Sequence, residues 1–174
     1  MASKSDSRTG DPFSLTLPSD REIRIRRVLE APRRLVFEAM TRPEHIRRFW
    51  GPRFMTMTTC EVDFRVGGAW RFVLAAPDGS EHPFTGVYKE IVPPERIVQT
   101  FIYDVDMIRD HPAVETLTLE ERGNQTIVAV TVLHDSKESR DGHVNAGMEG
   151  GVRETYDRLA ELLAELRTAP TSAV

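Results

Sequence analysis

The chain has 174 residues, 40% of them hydrophobic, with a formal net charge of −4 and a pI near 5.8. That suffices for one domain with a real core, and no nucleic-acid partner is expected, because such proteins more often show a basic stripe. No apolar run approaches the roughly 20 residues of a membrane span, so no membrane insertion is expected.

Residues 1–20 are rich in Ser, Asp, Lys and Pro. They read as a flexible tail, with Phe13, Leu15 and Leu17 as a weak docking strip. Residues 21–168 are expected to form a single domain, and 169–174 a disordered C-terminus. The one cysteine, Cys60, has no partner for an internal disulfide. With no signal-peptide-like stretch at the start, a reducing cytoplasm is the expected location.

Residues 21–30 alternate, with Ile23, Ile25 and Val28 set against Arg24 and Arg26, as a half-buried strand does. Ala31-Pro32 ends it, and Pro32 suits the first position of a helix. Leu35, Val36, Ala39 and Met40 form a short helical stripe. A second short helix covers 43–50, stopped by Gly51-Pro52. Strands follow at 54–64, 69–76, 84–92, 96–104, 114–121 and 125–134. Turns at Gly67-Gly68, Pro77-Asp78-Gly79, Pro93-Pro94-Glu95 and Arg122-Gly123-Asn124 separate most of them. A polar stretch, 135–142, leads to a long helix over 143–167.

That last helix carries an apolar stripe, Met148, Val152, Tyr156, Leu159, Leu163 and Leu166, at spacings of three and four. Gly147, Gly150 and Gly151 interrupt its first half. Each helical glycine costs about 1 kcal/mol relative to alanine. Close packing or room for a ligand would offset that cost. Six consecutive strands with short connections must be antiparallel. The long helix is the one element large enough to cover a face of their sheet. The expected fold is therefore α+β: about seven antiparallel strands curved around a C-terminal helix, with two short helices after the first strand.

Four segments carry a family resemblance. "APRRLVFEAMTRPEHIRRFWGP" (31–52) resembles paired helices that end in an aromatic pair. "CEVDFRVGGAWRFVLAAPDG" (60–79), "GVYKEIVPPERIVQTF" (86–101) and "MEGGVRETYDRLAELL" (148–163) are similar to a strand-turn-strand core, a Pro-Pro-Glu-Arg connection and a final helix. In this order they resemble the helix-grip fold of the START-like (SRPBCC) superfamily. Within it, they resemble the branch related to the activator of heat-shock protein 90 ATPase. The resemblance implies an apolar small molecule held between sheet and helix. It also implies that some relatives are polyketide cyclases, aromatases or hydrolase-like enzymes. Val152 stands where relatives often carry a tryptophan, which implies a larger cavity here.

No phosphate loop, His-Glu-x-x-His, Cys-x-x-Cys or Gly-x-Ser-x-Gly motif is present. The five histidines show no paired ligand spacing, so no metal and no cofactor is expected. Glu115 shares a strand face with Leu117 and Leu119, and an apolar neighbourhood would suit its carboxyl to acid–base work. His134 ends a strand and points to the cavity mouth in the functional reading. With Tyr103, these are the candidate catalytic groups. Arg153 is a candidate to reach an anionic ligand group.

Aromatic and sulfur side chains suit a pocket lining. The ligand-binding candidates are Trp50, Met57, Trp70, Phe72, Phe84, Phe101, Tyr103, Met148 and Val152; Phe54, Met55 and Met107 belong to the same set of apolar side chains. Three functions stay open at this point. The first is binding of a lipid- or polyketide-like molecule. The second is a cyclase, aromatase or hydrolase-like reaction using Glu115, His134 or Tyr103. The third is a stress protein that meets a chaperone ATPase. An exposed edge strand also permits a homodimer.

Overall fold

The computed structural model describes residues 10–106 and 108–168. The expected tail at 1–9, Met107 and the C-terminal residues 169–174 lie outside the described residues. In chain order the elements are β1 (Phe13–Ser19), β2 (Glu22–Leu29), α1 (Arg33–Thr41), α2 (Pro43–Phe49), β3 (Thr56–Val62) and β4 (Ala69–Ala75). They continue with β5 (Glu81–Val92), β6 (Arg96–Tyr103), β7 (Ala113–Arg122), β8 (Gln125–Leu133), α3 (Lys137–Asn145) and α4 (Met148–Thr168). The strands form one curved antiparallel sheet in the order β1-β2-β8-β7-β6-β5-β4-β3. The expected α+β architecture, a sheet gripping a long C-terminal helix, is the one observed.

Three local expectations are corrected. Residues 13–19 are a strand, not part of a tail. Phe13 pairs with Arg27 and is buried, while Leu15 pairs with Ile25. The sheet thus has eight strands. Pro18 is tolerated because β1 is an edge, where a missing N–H breaks no ladder. In β2 the inward positions are Ile23, Ile25, Arg27 and Leu29, so Arg27 rather than Val28 continues the inner row. Its guanidinium reaches Asp157 of α4 at 2.6 Å.

The third correction concerns the long helix. The polar stretch after β8 is itself helical. Ser136 caps α3 by accepting the Ser139 N–H at 3.0 Å, which satisfies one of the free donors of the first turn. Gly147, with φ at +81°, then separates α3 from α4. It is the turn between two helices, not a flaw inside one, and left-handed backbone is where glycine is favoured.

The core lies between the inner sheet face, α1, α2 and the C-terminal part of α4. Ile23, Leu29, Val36, Val128, Val132, Leu159 and Leu163 are fully buried there. Arg158 of α4 donates to the carbonyls of Gly51 and Arg48, and the Gly51 N–H donates to Thr155 Oγ1 at 3.1 Å. These bonds fix the corner after α2 against the helix. None of the described helices is long and apolar enough to cross a membrane.

Candidate functional site

The strand registers place one residue type after another on a single inner face. Trp70 stands opposite Gly86, Phe72 opposite Phe84, Tyr88 opposite Gln99, and Gln99 opposite Glu115. Glu115 in turn stands opposite Val132, and Leu117 opposite Val130. Between this face and the N-terminal half of α4 lies a cavity of about 300 Å³. Trp50, Trp70, Phe72, Phe84 and Phe101 line it from the sheet and α2 side; Met148, Gly151, Val152, Thr155 and Tyr156 line it from α4.

The aromatic wall is one connected set. Trp50 meets Phe72 and Phe84 edge-on, at centroid separations of 5.1 and 5.0 Å. Trp70 lies 4.8 Å from Phe72, and Phe84 5.7 Å from Phe101. His143 of α3 stacks on Phe101 at 6.0 Å, nearly parallel, and closes the far side of the space.

Polar groups gather at that side. The Gln99 amide donates to Glu115 Oε2 at 3.0 Å. Glu115 Oε1 has no hydrogen-bond partner among the described residues. Burial raises the Glu115 carboxyl above its ordinary range, and the Gln99 hydrogen bond offsets part of that rise. Burial also raises the Tyr156 phenol, and the neighbouring Glu115 carboxyl raises it further, so Tyr156 stays neutral. His143 Nδ1 and His134 Nε2 lie 3.0 Å apart and share a hydrogen bond. Burial pushes His143 down to about 4, and His134 downward as well. The Glu115 carboxyl can accept or hand over a proton, and the rings can bind an apolar body.

Of the predicted ligand-binding residues, Trp50, Trp70, Phe72, Phe84, Phe101, Met148 and Val152 line the cavity, and so does Glu115. Met57 does not. It sits on β3, the far edge of the sheet, and packs against the core. Tyr103 shares the inner face but lies past the rim, at the end of β6. There it stacks on Phe84 at 4.9 Å and meets His82 Nδ1 at 2.5 Å through its hydroxyl. His134 is buried behind His143 rather than at the mouth. Arg153 points away from the space: it pairs with Asp11 at 2.9 Å and lies over the Phe13 ring. Phe54 is exposed.

Gln99, Tyr156 and His143 are polar side chains of the lining that the sequence did not single out as site residues. Gln99 alternates in phase with Ile97 and Phe101, so period two alone would place it inward. Tyr156 sits on the apolar stripe of α4 and reads as core. No pattern marks His143, because the break at Gly147 moves it to a separate helix. Among the described residues, no three His, Cys, Asp or Glu side chains converge as a metal site would require. Cys60 is buried, which pushes its thiol up and away from reactivity.

A family model described as activator of Hsp90 ATPase homolog 1-like protein matches residues 30–164. No curated protein matches the chain. Among solved structures, a Rhodobacter sphaeroides protein aligns with a TM-score of 0.82 and 27% identity, over 88% of this chain and 99% of its own. A Nitrosomonas europaea protein aligns with a TM-score of 0.77 and 23% identity, over 87% and 99%. A Silicibacter pomeroyi protein of the same family description aligns at 0.69 and 19%, over 82% and 97%, which bears on the fold alone.

Proposed function

We propose that this chain, which belongs to the family of activator of Hsp90 ATPase homolog 1-like proteins, binds a small apolar or aromatic molecule between its sheet and α4. One observation carries the reading: a space of about 300 Å³ lies between the sheet and α4, walled by five linked aromatic rings. Protein interiors are packed at crystal density, and voids beyond a water molecule are few. Ligand sites begin at about this size and share this apolar lining with a few polar groups.

Gly151 of α4 supports the same reading, whereas Gly150 faces solvent. A Cβ built on Gly150 or Gly151 meets nothing within 4 Å. Close packing is therefore not what offsets their helix cost, and Gly151 borders the cavity.

Native mass spectrometry of protein purified from its own host tests the proposal. A co-purifying apolar molecule, lost on Val152→Trp, is the expected result. An empty protein with no thermal shift across aromatic polyketides and lipids would sink it.

A further inference from the structure

Among the described residues the cavity lining carries neutral hydrogen-bonding groups and one carboxyl, that of Glu115, but no Lys or Arg. Arg27, which shares the inner sheet face, is engaged by Asp157. His143 is the basic group of the lining, and burial keeps it neutral near pH 7. The Gln99 amide holds Glu115 Oε2, and Oε1 has no hydrogen-bond partner among the described residues.

An anionic amphiphile entering here would find a carboxyl and no counter-charge. An unpaired buried charge is strongly disfavoured. A cation finds the opposite setting. Glu115 offers a carboxylate oxygen, and the space it borders is lined by aromatic rings, whose quadrupoles attract positive charge.

From this juxtaposition of a lone carboxyl and an aromatic wall, we propose that the cavity selects aromatic or apolar molecules bearing a basic amine. The ammonium group pairs with Glu115 Oε1, and carboxylates are rejected. The inference rests on the ligand-binding reading above. Size adds a limit: the space is about twice the ~150 Å³ cavity that admits benzene, so two fused rings with a short side chain fill it.

Three near-isosteric probes separate the possibilities: naphthylethylamine, naphthylethanol and naphthylacetate. Their affinities for the full-length protein are measured by calorimetry near pH 7, for the wild type and for Glu115→Gln. The amine is expected to bind the wild type at least ten-fold more tightly than the acetate. Glu115→Gln should erase most of that ratio and leave the alcohol nearly unchanged. An acetate that binds the wild type as well as the amine overturns the inference alone, whether or not the variant folds. So does an amine preference that survives the substitution. Failure of all three probes to bind overturns both this inference and the ligand-binding reading.

Discussion

Trp70 occupies the space that a side chain on Gly86 would need. The two residues face each other across β4 and β5, and a Cβ on Gly86 would lie 2.4 Å from Trp70 Nε1 and 2.0 Å from the Thr100 carbonyl oxygen. The carbonyl belongs to the next strand's backbone and cannot turn aside. Gly86→Ala should therefore destabilise the domain by about 3 kcal/mol or more, the scale of overpacking with backbone displacement. Urea unfolding followed by tryptophan fluorescence measures it. A loss under about 1 kcal/mol would mean that the strand relaxes freely.

The three glycines near α4 should respond with opposite signs. Gly150→Ala and Gly151→Ala add a Cβ into open space within a helix. Each should stabilise by about 0.5–1 kcal/mol. Gly147→Ala places a Cβ on backbone at φ +81°, and should cost about 1 kcal/mol. Thermal melts of the three single variants give the order.

Val152→Trp fills the cavity from the helix side. Binding of a naphthalene probe should fall at least ten-fold, while stability changes by less than about 1.5 kcal/mol, because the ring enters existing space. Loss of the fold instead would show that the region is tightly packed.

Acid should weaken the protein through the histidine pair. His143 is pushed down to about 4 by burial, whereas an unfolded chain takes up the proton at about 6.5. Between these values the unfolded state binds more protons. The stability contribution is complete above about pH 6.5 and is lost as pH falls toward 4. His111 works with the opposite sign, since Asp135 raises it, but that pair is exposed and screened. Unfolding free energies from urea titrations at about pH 7 and pH 5 should differ by roughly 1–2 kcal/mol, and His143→Phe should flatten the difference.

Glu115 has the reverse sign. Its carboxyl is raised by burial, so its contribution is present below about pH 4.5 and lost as pH rises through the folded value. Glu115→Gln should gain stability relative to the wild type as pH rises from about 4 to about 8. A constant difference across that range would refute the assignment.

Much of the site could be read because strands alternate. Once Trp70, Phe72 and Leu74 are in phase, the inner face of β4 follows, and Glu115 falls beside Leu117 by the same rule. Alternation does not say where a strand stops facing empty space, which is why Met57 and Tyr103 were expected to line it. Both share the apolar character of the lining but sit at an edge strand and a strand end. The break at Gly147 was hidden because the apolar stripe begins immediately after it. β1 was masked by composition: Phe13, Leu15 and Leu17 alternate, but Ser, Asp and Pro around them weigh toward a tail.

The pairing of β2 with β8 also orders how the protein can be made. Glu22 pairs with Leu133, so the β1–β2 hairpin has no sheet to join until β8 has left the ribosome. The helix that covers the sheet, α4, emerges last. During synthesis the aromatic inner face must therefore stand uncovered, and this late, non-local closure is a slow and aggregation-exposed kind of folding step. The hollow that suits a ligand in the finished molecule is, on the nascent chain, a surface for other proteins to guard.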